Sequence, residues 1–533
     1  TPWSALATDD PPKDQTSQTE LQTNFQSPPQ DPDIYADPQP NITIGEDGLK
    51  SGTDLELVHA TSTHADHDGK TFAHKLTSEN GQLYIDGTLQ SNYQIQPGPY
   101  DTKAYFLAGD LTLNNTLYIS GSGGNNVCIC LNGYSITQTG NYDVINVANN
   151  VSLSLYDCSE GNAGRITHAE GKTGRGIKFS AGISNTFNMY GGTITGNHAT
   201  ATNDDKGGGV LVTGNDKGSF NLHGGVITGN SAANGGGVAV SSTDSNPSVS
   251  RSFTMDGGTI SDNEAARNGG GVYVENKGSA TVSGGEIKGN TAIIGGGISG
   301  GGNDFLDITV KDSAKITGNR ASTGGGVYAG DDANGHCYFT MTGGEISGNT
   351  SVYNDHATVN GGGVYLGGTM TVSGDAKIVK NKKGDEINNV FLPQNLVSKN
   401  YYTMTIGGGG LTSGASIGVT SSKVLADGEA VTIVDSGAAS GSEGYFKADA
   451  GTPYKIQRVG ETLVLVNGTL THKHPICGKK CTHTSKHEDV TWTAINSAAA
   501  LQNAAGGNSA ETTQYYYLTN DVTLDSTWTP SGY

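Results

Sequence analysis

The sequence predicts an all-β chain: a right-handed parallel β-helix with three strands per coil, about 30 residues per repeat, and a small β segment toward the C-terminus. Three observations predict it. Isoleucine recurs at Ile194, Ile227, Ile260, Ile287, Ile316, Ile346 and Ile378, with steps of 33, 33, 27, 29, 30 and 32. Three residues after each comes Asn197, Asn230, Asn263, Asn290, Asn319, Asn349 or Asn381. A Gly-Gly-Gly run then leads into Val210, Val238, Val272, Ile298, Val327 and Val364.

The first strand of each repeat reads Phe187-Asn-Met, Phe220-Asn-Leu, Phe253-Thr-Met, Ala280-Thr-Val, Ile308-Thr-Val, Phe339-Thr-Met and Met370-Thr-Val. Its outer members are apolar and its middle one polar, so one face is buried. The second strand carries the isoleucine, and the third follows the glycines. Three such strands cannot bury their apolar side alone, but they can when each repeat makes one coil and stacks on the next. Parallel crossovers favour the right hand. A hairpin meander would need two-residue turns throughout, and the junctions vary too much in length. Glycine, at 81 of 533 residues, suits corners that need positive φ and no Cβ. The asparagines read as a ladder whose amides bond from coil to coil.

Outward positions form ladders too. The first strand presents Asn188, Asn221, Thr254, Thr281, Thr309, Thr340 and Thr371. The second presents Thr193, Val226, Thr259, Glu286, Lys315, Glu345 and Lys377, where alternating charge on neighbouring coils fits cross-strand pairing. The third presents Leu211, Ala239, Tyr273, Ser299, Tyr328 and Tyr365.

The pairing of Ile-x-x-Asn with Gly-Gly-Gly-Val, as at 260–263 and 269–272, resembles the repeats of chlamydial polymorphic outer-membrane proteins. It is similar also to pectin-lyase-like β-helix surface proteins of gut Firmicutes. The likeness covers Gly191 to Asn381, with Ile for the chlamydial Phe and Gly for Ala; an amphipathic C-terminal barrel is not visible. Adhesion is what the resemblance implies, and it supplies no catalytic residue.

Residues 1–50, rich in Pro, Asp, Gln, Ser and Thr, read as a disordered stalk. Residues 51–104 are a preamble and N-terminal cap dotted with His59, His64, His67 and His74. The β-helix is assigned to 105–410, a small β segment or cap to 411–470, and a His/Cys linker to 471–490. The segment 491–533 reads as the start of a second module, because YYLTNDVTLDSTW at 516–528 echoes YFLAGDLTLNNTL at 105–117. A tandem array in one polypeptide is the expectation. A net charge of −20 argues against nucleic acid and anionic membranes as partners, and the chain holds no run of about 18 apolar residues to insert into a bilayer.

Few constellations carry chemistry. His472, His474, Cys477, Cys481, His483 and His487 are zinc-type ligands, with C-x3-C inside the usual spacing, so a structural zinc in the 472–487 linker is one reading. A disulfide and a plain linker are the others. Cys128 and Cys130 share a strand face and Cys158 follows at about one coil, so two of them either pair or remain core thiols. Cys337 reads as a loop cysteine beside His336 with no orienting acid. Glu286 and Glu345 lie two coils apart, about 9–10 Å, with Lys315 between them, which fits ion pairing better than glycoside hydrolysis. No catalytic residue is assigned.

Tyr273, Tyr328 and Tyr365 are the binding candidates, as exposed aromatics on a flat face where sugar rings stack. The expected function is that of a secreted or cell-surface, adhesin-like bacterial β-helix binding host or microbial glycans or surface proteins. The alternatives are a carbohydrate-active hydrolase or lyase using loop acids, and a structural spacer in a surface fibre.

Overall fold

The computed structural model describes residues 72–98, 102–121, 124–148, 150–181, 185–200, 205–214, 217–241, 251–302, 305–330, 337–352, 359–451, 453–468, 472–473, 491–502, 515–518 and 522–524. The stalk assigned to 1–50 and the histidines before His74 lie outside them.

The repeats form a parallel β-solenoid of about 11 turns. In the first sheet Phe187 pairs with Phe220 and Phe220 with Phe253, all inward and fully buried. Their rings stack along the axis, at 4.6 Å and 10° for the first pair. In the second sheet Ile194, Ile227, Ile260, Ile287, Ile316, Ile346 and Ile378 are opposite one another from coil to coil, each fully buried. The third sheet stacks Val210, Val238, Val272, Ile298, Val327 and Val364 in the same way. One continuous apolar core results, and each fully buried aliphatic side chain contributes about 1.5–3 kcal/mol to it.

A fourth, short ladder lies between the asparagine and the glycines. Ser231–Asn234 pairs with Glu264–Asn268, and Arg320–Ala321 with Thr350–Ser351 and then Lys382–Lys383. Sequence reading missed it because these segments are short and do not alternate.

The asparagine ladder forms as expected, with a direction. Asn263 Nδ2 donates to Asn290 Oδ1 at 3.0 Å, and Asn290 Nδ2 donates to Asn319 Oδ1 at 2.9 Å. Each backbone N–H donates to the same acceptor on the next coil. Every one of these asparagines is essentially unexposed. The three glycines serve different ends. Gly269 has φ +66°, which favours glycine. Gly271 has no such φ, but a Cβ there would lie 2.6 Å from the Gly297 carbonyl, 2.9 Å from Ile287 Cγ2 and 3.1 Å from Asn290 Nδ2. The third strand therefore passes close over the ladder only because it starts on glycine.

Antiparallel strands close both ends. His74–Glu79 pairs with Gln82–Ile85, which pairs with Thr88–Gln90. Beyond residue 410 the solenoid continues through Ser416–Ser421 and Phe446–Ala448, and Tyr454–Val459 with Thr462–Asn467 makes an antiparallel hairpin against Ala430–Ser436. Farther on, Thr491–Ile495 runs parallel to Tyr515–Leu518, as His74–Glu79 does to Thr102–Leu107.

Candidate binding face

Residues Val272 and Val274 of the third sheet point into the core, so Tyr273 and Glu275 point out. The outward face is nonetheless covered here. Tyr273 is 7% exposed and Glu275 6%. The Tyr273 hydroxyl donates to Glu275 Oε2 at 3.0 Å, while Ser241 Oγ donates to Oε1, which also pairs with Lys206 Nζ. Lys206 Nζ is 3.1 Å from Ser241 Oγ, and Arg175 Nε donates to the Lys206 carbonyl at 2.8 Å. A polar network thus links four successive coils through a buried carboxylate compensated by an ammonium and two hydroxyls. Burial, then the Glu275 charge, pushes the Tyr273 phenol above its ordinary range.

Farther along the same face Tyr328 stacks on Tyr365 at 5.2 Å and 15°, and Tyr365 on Phe391 at 5.7 Å and 30°. Tyr328 leans over Gly330: a Cβ there would lie 3.0 Å from its Cζ. Tyr365 lies more loosely over Gly367, where its Cε1 would be 3.6 Å from a Cβ. The expectation of exposed tyrosines is therefore corrected in part. Tyr328 is 7% exposed and Tyr365 is half-buried. Their ring faces are turned toward each other along the axis, and Tyr365 is the more exposed of the two. The structure sets Tyr273 apart from Tyr328 and Tyr365, with Ser299 on the coil between.

The aromatic row runs into a cleft of about 710 Å³ lined by Asn360, Lys383, Glu386, Asn388, Phe391, Thr420–Ser422 and Asp449. Below Phe391 the next rung is Thr420, a smaller residue, which makes room beside the last ring. Asp449 also ends the asparagine ladder, and burial pushes its carboxyl above the usual range, against the pull of donors from Asn389 and Thr420.

Turn lengths mark this sheet. Between residues 187 and 378 the corner from the first to the second strand keeps to 5 or 6 steps, as from Met189 to Ile194 and Val310 to Ile316, while outside that stretch it reaches 11, from Leu155 to Ile166 and from Ile406 to Ile417. The corners on either side of the third sheet vary widely: Val238 to Phe253 is more than twice as long as Val364 to Met370, and Asn349 to Val364 far exceeds Asn319 to Val327.

On the second sheet Glu286 is opposite Lys315, and Lys315 opposite Glu345, but the ion pair of Glu286 is with Lys288 on its own strand, at 2.7 Å. The hydrogen bond from Lys288 holds the Glu286 carboxyl below its usual range. Cys337 is not a loop residue: it opens the strand Cys337–Met341, points inward and is fully buried. Of the zinc-type ligands, His472 lies in a two-residue strand against Thr491–Ile495. His474, Cys477, Cys481, His483 and His487 lie outside the described residues. Sequence reading missed a stack at the corner between the first and second strands, where buried Tyr156 stacks on exposed Tyr190, Tyr190 on His223, and His223 Nδ1 meets Asp256 at 2.9 Å. The only signal was the residue before each Gly-Gly, and its type changes from coil to coil.

The fold and this face define a parallel β-solenoid with an aromatic row leading to a terminal cleft. Comparison with protein-family models, with curated proteins and with solved structures finds no match to this chain.

Proposed function

We propose that the chain is an adhesin-like module of a secreted or cell-surface bacterial protein, one of a tandem array, that binds glycans on its third sheet. The observation that carries this reading is the concentration of long, variable turns at the two borders of that sheet between residues 187 and 378, where the opposite corner varies by a single residue. In stacked-repeat proteins such insertions gather on the binding face. The row from Tyr328 to Phe391 and the cleft beside it add aromatic edges, hydroxyls and amides, the groups that hold a sugar. The net charge of −20 favours a neutral or cationic partner over a polyanion.

A second reading has its own observation. Asp449 and Glu386 line one cleft, and two carboxylates are what glycoside cleavage requires. Against it, both oxygens of Asp449 already accept hydrogen bonds from Asn389 and Thr420. The test is retention of the full chain on a glycan array and on mucin, beside Tyr365→Ala and Phe391→Ala, with released sugar assayed in parallel. Saturable retention lost in both variants is expected. Retention unchanged in both removes this face from the reading, no retention at all leaves a spacer, and released sugar selects the enzyme.

A further inference from the structure

The outer side of the first sheet is dry near its N-terminal end. Ala104, Phe106, Cys128, Cys130 and Tyr156 form a second apolar cluster there with Phe72, separate from the axial core. Within it the Sγ atoms of Cys130 and Cys158 lie 2.7 Å apart, closer than two unbonded sulfurs rest. Register brings them together. Cys130 ends the strand Asn125–Cys130 opposite Tyr156, the last residue of Val151–Tyr156, and Cys158 follows two residues later.

We propose that Cys130 and Cys158 are a modification site, joined as a cystine that staples one coil to the next. The oxidant class is a small-molecule or protein disulfide, consumed by thiol–disulfide exchange. Cys158 is half-buried and Cys130 fully buried, so Cys158 is the sulfur that meets the oxidant. Its thiolate attacks one sulfur of RS–SR, forming a mixed disulfide and releasing RS⁻. The Cys130 thiolate then attacks the Cys158 sulfur and releases the second RS⁻. Two thiols become one cystine, one external disulfide becomes two thiols, and the two protons pass to the leaving thiolates.

The geometry selects this pair over the alternatives the sequence left open. Cys128 shares the outward face, but its register neighbours are Ala104 and Ser154. Cys337 points into the axial core several coils away, opposite Leu306. The bond spans 28 residues of sequence and fixes the end of the strand from which buried Tyr156 starts the corner stack that Tyr190 carries to the surface.

The test uses the full chain, refolded in a glutathione redox buffer so that access to the buried thiol is not limiting, then denatured, alkylated and digested. The expected result is a peptide pair linked through Cys130 and Cys158, with Cys128 and Cys337 alkylated. Cys128→Ser keeps the link and Cys158→Ser abolishes it. Oxidation raises the thermal midpoint of the wild type and of Cys128→Ser but not of Cys158→Ser. Alkylation of both Cys130 and Cys158 after oxidation, or a link from either one to any other cysteine, overturns the proposal.

Discussion

Asn389 donates its side-chain amide to Asp449 Oδ1 across 2.6 Å, and its backbone N–H reaches the other oxygen at 2.7 Å. This contact stops a chain of amides that starts at His168, whose Nδ1 lies 2.8 Å from Asn197 Oδ1. Every rung donates toward the C-terminal end, so the last one needs a group that only accepts, and an ionised carboxylate is that group.

Asp449→Asn turns one acceptor into a donor facing Thr420 and Asn389. It is expected to cost about 1–3 kcal/mol near neutral pH, the penalty for a buried group left badly paired. The pH dependence follows from the raised carboxyl. The folded chain keeps its proton to higher pH than the unfolded chain does, so this group's contribution to stability falls as pH rises from the ordinary aspartate value to the raised one. The variant should lack that slope, and urea unfolding across acidic pH checks it.

Asn290→Ala strikes the middle of the ladder. It removes the acceptor for the Asn263 amide and backbone N–H, both buried, and should cost about 2–4 kcal/mol. Thr281→Ala, on the outward face of the first sheet, should stay within about 0.5 kcal/mol. Denaturant midpoints of the two variants give the comparison.

Gly271→Ala and Gly318→Ala separate two reasons for glycine. At Gly271 the new methyl meets a carbonyl, a core isoleucine and a ladder amide, so the coils must part and several kcal/mol are expected. At Gly318 φ is +62° and nothing lies within 4 Å, so only the backbone cost of about 1–2 kcal/mol applies. Equal losses in thermal stability would contradict the assignment.

Tyr273→Phe tests the covered end of the binding face. Because burial and Glu275 raise the phenol, the folded chain holds that proton while the unfolded chain loses it, and stability falls as pH rises past the ordinary tyrosine value. In a spectrophotometric titration the variant should show one tyrosine fewer than the wild type ionising only on alkaline unfolding.

The isoleucines, asparagines and glycines were legible because a ladder demands one residue type at one place in every coil. Ile287 repeats Ile260 for the same reason that Asn290 repeats Asn263. The surface was less legible. That Tyr328 lies flat depends on Gly330 beside it, and the Glu275 that holds the Tyr273 hydroxyl is paired with Lys206 from two coils earlier, a relation no local pattern carries. The Tyr190–His223 stack joins unlike residues, so periodicity passes over it. Spacing placed three cysteines near one another, and only the register distinguished Cys158 from Cys128 as the partner of Cys130.

The one-way run of amides has a consequence for how such a chain grows. Any coil spliced in between His168 and Asp449 accepts from the coil before it and donates to the coil after it, whatever the number of coils already present. The two terminators are fixed and the reach between them is not. Duplication of a repeat therefore lengthens the rod by about 4.8 Å without redesigning either end, which makes length the property that inheritance can vary most freely.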